Sequence, residues 1–445
     1  MDLNTVTLRH PLTLARLAVR KLFRSIARKA GRKGGLNAGR PAADREAQQE
    51  DLIDVRELIS KTSLEDLNTA AENYFAGLAN WDDHLAKPFS RTDDAPGLLI
   101  NLAVMLQGLK LAPGLRVLDF GAGTGWTSRY LTQLGCESVL LDVSETALAI
   151  AAESYRRQPV FGNQPAPRFL RYDGKTIDLP DASVDRILCF DAFHHAPDPG
   201  QVLGEFARIL VPGGIAAFAE PGPDHSRRPP SQSEMRTYGV VENDLDIHAV
   251  WRAARGAGFS EIRVAAYNVP PYHVSLSEFD DLLNGGEFYL RWAESTRHFL
   301  HDVRDFFLTK GGKERVDSRQ SSGLAASISV VISPAVTAGV PIPIQATVTN
   351  AGSAVWLPSL AERGGVSLGC HLHHDGKLVA LDHHWEPLSR GLVEPGETVE
   401  LKFVLPGLSA GEYMMEFDCV ANRICWFAQM GSRVIRVHVS AREKA

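Results

Sequence analysis

The run Val117-Leu118-Asp119-Phe120-Gly121-Ala122-Gly123-Thr124-Gly125-Trp126 constrains this chain more than any other feature. An apolar strand ends in a carboxylate and then in alternating glycines, so a tight turn lays bare backbone against a ligand at a strand end. A dinucleotide-type turn needs a glycine where this chain has Trp126, because pyrophosphate approach and helix packing demand it. An indole there blocks that role. Asp119, directly before the glycines, suits an ammonium group and would repel a diphosphate. The expected ligand is cationic at that end.

Around this loop, short apolar runs at 116–120, 138–143, 168–171, 186–190, 214–219 and 261–267 alternate with helical patterns. Such alternation predicts a mainly parallel, doubly wound α/β sheet with right-handed crossovers. Ligands of these sheets sit at the C-terminal ends of the strands. There the sequence puts Asp142-Val143 after the second strand, where a carboxylate can accept from two ribose hydroxyls, and Asp173-Gly174 after the third. One strand-end Asp is commonly a turn or cap residue. Three at the ends of successive strands form a pattern.

Over roughly residues 95–270, the Asp119-to-Gly125 loop, Asp142, Asp173-Gly174, the run Phe190-Asp191-Ala192-Phe193-His194-His195-Ala196-Pro197-Asp198 and Leu210-Val211-Pro212-Gly213-Gly214 resemble the ordered motifs of class I S-adenosylmethionine-dependent methyltransferases. The resemblance implies a Rossmann-like core and S-adenosyl-L-methionine as cofactor. Asp119, Gly121, Ala122, Gly123, Thr124 and Gly125 would hold its methionine part, Asp142 and Val143 the ribose, Asp173 and Gly174 the adenine, and Asp191 the rim beside the sulfonium. It does not name the acceptor.

A sulfonium is already a strong electrophile, so positioning supplies most of the rate. A hydroxyl acceptor also needs a base within hydrogen-bond reach. His194, His195, Glu220 and His225 follow strands four and five; His195 is the first candidate base, Glu220 the second and His194 the third. His195 could instead simply order its loop. Asp191 and His194 have metal-type spacing, but no third ligand at suitable spacing stands out, and no metal is expected.

The remaining chain divides into a basic segment 1–40, a helical cap 41–95, the cofactor-binding core 96–275, a helical substrate lid 276–309, a polar linker 310–325 and an all-β region 326–441. In the last, short alternating strands are punctuated by turn signals such as Asp375-Gly376 and Pro395-Gly396. Asn350-Ala351-Gly352, Trp356, Gly411-Glu412-Tyr413 and Cys425-Trp426-Phe427 resemble immunoglobulin-like β-sandwich modules attached to bacterial polysaccharide-modifying enzymes. That resemblance implies a glycan or glycolipid acceptor and polysaccharide biosynthesis. His371, His373, His374, His383 and His384 are expected on the exposed face of a hairpin.

Residues 1–40 carry ten Lys or Arg against Asp2, which leaves the rest of the chain at −15. An acidic body argues against a nucleic-acid substrate. Within 11–30, Leu12, Ala15, Val19, Leu22, Phe23 and Ile26 form an apolar stripe beside Arg16, Arg20, Arg24 and Arg28. Peripheral membrane contact and a partner-binding arm are both open for this helix. No run approaches the roughly 18 apolar residues of a membrane span. Five scattered cysteines read as reduced packing residues, so a cytoplasmic location is expected, peripheral to the membrane if the helix meets lipid. The sequence leaves oligomeric state open. It also leaves two other functions open: a lipid or quinone C- or N-methyltransferase with a dimerising sandwich, and a glycan-binding protein that has lost turnover.

Overall fold

A computed structural model describes residues 52–443 apart from 163, 270, 313 and 314. The basic segment 1–40, and the amphipathic helix expected within it, lie outside the described residues. Among the described residues no helix is long and apolar enough to cross a membrane. The chain forms two compact units that divide near residue 312.

The first unit begins with α1 (Val55–Lys61), α2 (Leu64–Ala76), α3 (Asp82–Leu85) and α4 (Ala95–Leu109). It continues as β1 (Arg116–Phe120), α5 (Trp126–Gln133), β2 (Glu137–Asp142), α6 (Glu145–Arg157), β3 (Arg168–Arg171), β4 (Val184–Phe190), α7 (Pro199–Ile209) and β5 (Leu210–Pro221). Then come α8 (Pro229–Tyr238), α9 (Ile247–Ala257), β6 (Phe259–Val264), α10 (Leu276–Leu283), α11 (Glu287–Asp302) and β7 (Val303–Lys310). Helix starts follow local capping chemistry: Ser63, Ser144, Asp198, Asp246 and Ser275 each accept from a backbone N–H in the first turn.

The seven strands lie in the order β3-β2-β1-β4-β5-β7-β6, parallel from β3 to β5. The order reverses between β1 and β4, which opens the crevice at their C-terminal ends. Strand β7 runs antiparallel between β5 and β6. The sequence reading carried helix through 309; the structure ends it at Asp302. Val303-Arg304-Asp305-Phe306-Phe307-Leu308 follows α11 with no Gly or Pro to announce the change. Packing in the sheet decides it, for Phe306 and Leu308 are fully buried, and Phe306 stacks on Phe218 of β5 at 4.5 Å.

The second unit has one sheet ordered β13-β10-β8 and another ordered β12-β11-β14-β16-β9, with β15 on β14. These strands are β8 (Ala326–Val331), β9 (Ala335–Thr337), β10 (Ile342–Asn350), β11 (Val366–His374), β12 (Lys377–Pro387), β13 (Thr398–Leu405), β14 (Gly411–Ala421), β15 (Cys425–Trp426) and β16 (Ile435–Arg442). Ile342, Ile344, Ala346 and Val348 alternate inward along β10 and share one apolar core with Leu368, Cys370 and Phe417 of the other sheet. Trp356 is fully buried against Phe427. The expected linker 310–325 ends earlier than its polarity suggests, because Ser318 and Leu324 are buried within this unit.

Asp375-Gly376 forms the expected hairpin turn, with φ of 49° and 73°, and joins β11 to β12. The pairing slips on either side of Leu372. His371 is therefore not on an exposed face: it is buried, 4.2 Å from the Trp426 ring between centroids.

Candidate functional site

The glycine loop leaves β1 and enters α5 directly. Gly121 has φ of 64°, and a Cβ there would lie 2.4 Å from the Ala192 methyl. Only glycine lets the loop run this close to the segment after β4. At Gly123, φ is 52°, and the nearest atom to an added Cβ is Cζ of Phe75 at 3.9 Å. That side of the loop is open backbone. Trp126 starts α5 and meets Phe190 edge-on at 5.3 Å, so the indole that excludes a dinucleotide turn packs the loop onto β4.

Asp142 closes β2 and holds the loop in shape. Its Oδ2 accepts from Gly123 N at 2.8 Å and its Oδ1 from Ser144 N at 2.9 Å. Each oxygen keeps a further lone pair for a ligand hydroxyl. Burial raises its pKa, opposed by those two N–H groups. Glu72 of α2, which the sequence reading missed, braces the same turn by accepting from Ser144 Oγ at 2.6 Å and from Thr146 N and Oγ1.

Asp119 is 1% exposed. Its Oδ2 accepts from Thr127 Oγ1 at 2.6 Å and Ser128 Oγ at 2.5 Å, both on the first turns of α5. Burial pushes its pKa up to about 6, against those two hydroxyls, and the neighbouring charge of Asp142 adds to the rise. A buried carboxylate held this high is suited to receive a cation.

Val143, Tyr172 and Asp173 line a cavity of 570 Å³ together with Asn68, Glu72 and Arg171. Asp173 Oδ1 accepts from the N–H groups of Lys175 and Thr176, and its carbonyl accepts from Asn68 Nδ2 at 2.8 Å. Gly174, with φ of 86°, takes the turn beneath Leu64 and Asn68. Ala122 and Thr124 are buried in the loop, whereas Asp191 is exposed at the end of β4 with φ of 56°.

The three candidate bases separate sharply. Glu220 is buried, with Oε1 accepting from the backbone of Ala192 at 3.1 Å and Phe193 at 2.7 Å. Its Oε2 meets His194 Nδ1 at 2.7 Å. Burial would raise the Glu220 pKa, but His194 and those N–H groups bring it below the usual value. His194 is 2% exposed; burial lowers its pKa, yet the Glu220 hydrogen bond and charge lift it to about 9. Both are therefore committed to ordering the turn at 192–195, and neither is placed to take a proton from an acceptor. His195 alone reaches solvent, with 43% of its side chain exposed. Its Nδ1 lies 2.6 Å from the Val241 carbonyl, which can only accept, so Nδ1 carries the proton and Nε2 keeps a lone pair.

His225, by contrast, is buried, with Nε2 2.7 Å from Glu242 Oε2. Glu234 and Glu242 were not foreseen. Burial first, then the charges of Glu242 and Asp191, raise the Glu234 pKa to about 8. These acids come from the segment after β5, where no local motif marks them.

Residues 118–218 match the model of a family described as methyltransferase domain. Among curated proteins, the chain is 39% identical over 108 residues to malonyl-[acyl-carrier protein] O-methyltransferase of Pectobacterium atrosepticum, covering 24% of this chain and 38% of that one. It is 31% identical over 127 residues to sterol 24-C-methyltransferase of Eremothecium gossypii, covering 26% and 33%. With glycine/sarcosine/dimethylglycine N-methyltransferase of Actinopolyspora halophila it shares 32% over 115 residues, covering 25% and 19%. The chain spans less than half the length of each of these relatives, and their names cover transfer to oxygen, carbon and nitrogen.

Proposed function

We propose that this chain is an S-adenosyl-L-methionine-dependent methyltransferase that methylates a hydroxyl of a cell-surface glycan or its lipid-linked precursor. The methyl-transfer reading is carried by one observation: the segment matched to a methyltransferase domain contains the open Gly123 backbone, locked by Asp142, beside the buried Asp119 carboxylate. The residues present fit the cofactor. Asp119 offers a buried negative charge to its ammonium, Asp142 two oxygens to its ribose, and the cavity bounded by Val143 and Asp173 space for its base.

When bound, S-adenosyl-L-methionine supplies an electrophilic methyl group. The chain's own part is to hold the acceptor in line and to remove its proton. His195 is the base: Val241 fixes the tautomer, and Nε2 receives the hydroxyl proton as the oxygen attacks. Glu220 and His194 hold the turn that aims it.

The glycan acceptor rests on the resemblance of the second unit to immunoglobulin-like modules of polysaccharide-modifying enzymes, that unit serving in recognition or assembly. None of the relatives named above is described as acting on a glycan. A lipid or quinone acceptor is the competing outcome of an acceptor screen. The first test is calorimetric titration with S-adenosylhomocysteine of the parent, Asp119→Ala and Asp142→Ala. Binding by the parent that weakens more than about tenfold in each variant is expected, since charge-assisted hydrogen bonds contribute about 1.5–3 kcal/mol. A folded parent that does not bind refutes methyl transfer.

A further inference from the structure

Methyl transfer leaves His225 and Glu242 without a task, and they gather beside His194. His194, His225 and Glu242 are each no more than 3% exposed, and one donor atom from each lies within 4.8 Å of the others. They come from three separate segments: the turn after β4, the loop after β5, and the stretch after α8. Glu220 takes Nδ1 of His194, which leaves Nε2 as the nitrogen that His194 can offer. Oε1 of Glu242 is buried, with His195 Nδ1 3.4 Å away, and the Glu234 carboxyl hydrogen-bonds to the same side chain. Charge and dipole gathered this densely away from water are costly unless something more than a few hydrogen bonds compensates them.

We propose that His194, His225 and Glu242 bind one divalent first-row transition ion of the zinc class. Two imidazole nitrogens and one carboxylate oxygen are an N/O donor set for Zn²⁺, Co²⁺ or Fe²⁺. Hard Mg²⁺ and Ca²⁺ take mostly oxygen donors. Donors at roughly 2.0–2.2 Å from a tetrahedral ion stand about 3.4 Å apart. The present spread of up to 4.8 Å closes to that with side-chain adjustments. His225 Nε2 and Glu242 Oε2 now share a proton at 2.7 Å. The entering ion displaces that proton, and the one on Nε2 of the charged His194 ring, to solvent, and His225 Nε2, Glu242 Oε2 and His194 Nε2 become ligands. Glu220 stands behind His194 as the carboxylate that orients a ligating imidazole and raises its basicity. The ion would tie together the three segments that carry and aim His195.

This site does not depend on the methyl-transfer reading, and its test has a readout other than activity. The full chain, without a histidine tag, is treated with chelator, loaded with Zn²⁺ or Co²⁺ alone, gel-filtered and assayed for bound metal; Co²⁺ also reports by its visible ligand-field bands. About one ion per chain is expected. Affinity should fall about 10–100-fold or more in His225→Gln and in Glu242→Gln. A cooperative thermal melt and the far-UV circular dichroism of those variants check that they are folded, and His371→Gln of the second unit should keep the ion. If either variant fails to fold, the Zn²⁺-dependent rise in Tm of the parent replaces it: a rise is expected, and no rise overturns the site. No uptake by the parent, or uptake unchanged in the His225 and Glu242 variants, also overturns it.

Discussion

Asp119→Asn should make the unliganded protein more stable at neutral pH while weakening cofactor binding. Burial raises the Asp119 pKa from 3.8 to about 6. A shift of about 2 units penalises the ionised form by about 3 kcal/mol. Because the folded-state value lies above the unfolded one, stability from this group is complete below about pH 4 and is lost as pH rises through about 6. Asparagine is neutral and nearly isosteric, and its carbonyl can still accept from Thr127 and Ser128, which lie 2.6 and 2.5 Å from Asp119 Oδ2. At pH 8 the variant should therefore gain up to about 3 kcal/mol over the parent, and near pH 4 nothing. Urea unfolding at both pH values, followed by hydrogen exchange of peptides within 116–133, isolates this unit from the β-rich one. Calorimetry with S-adenosylhomocysteine supplies the other half. A variant less stable than the parent at pH 8, or one that binds the ligand equally well, refutes the view that this carboxylate is held at a cost for a cation.

Two further outcomes follow from the same geometry. Gly121→Ala forces a side chain to φ of 64° and into the Ala192 methyl, so it should lose about 2–4 kcal/mol by urea unfolding and weaken S-adenosylhomocysteine binding. His195→Gln removes the exposed base but leaves an amide N–H that can still donate to the Val241 carbonyl, so kcat with a hydroxyl acceptor should fall about 10²–10⁴-fold with S-adenosylhomocysteine affinity retained; an unchanged kcat would remove His195 from the chemistry.

The glycine loop and the strand-end carboxylates were legible because their signals are contiguous. Asp119 and the three glycines fall within seven residues, and Asp142 and Asp173 each end an apolar run that period and length mark as a strand. Strand β7 was not legible, since Val303–Lys310 continues from α11 without a breaker and becomes a strand by lying between β5 and β6. Position along the sequence also ranked Glu220 and His194 beside His195 as bases. Burial sets Glu220 and His194 apart from His195, because an acid that accepts from two backbone N–H groups and a histidine ring has no capacity left for an acceptor proton.

The same contrast explains why the reaction is easier to read than its acceptor. A cofactor common to many enzymes is held by backbone and by strand-end carboxylates, which the sheet topology forces into one crevice. Other parts of the site are assembled by side chains that meet only after folding. Glu72 reaches the turn after β2 from α2, and Glu242 reaches His225 across α8. None of these pairings has a sequence period. Residues 118–218 accordingly match a domain whose relatives are named for oxygen, carbon and nitrogen acceptors alike. The determinants of this chain's acceptor should therefore lie outside that segment, in α1, α3, 222–246 and the second unit, and substitutions there should change acceptor preference while leaving S-adenosylhomocysteine affinity in place.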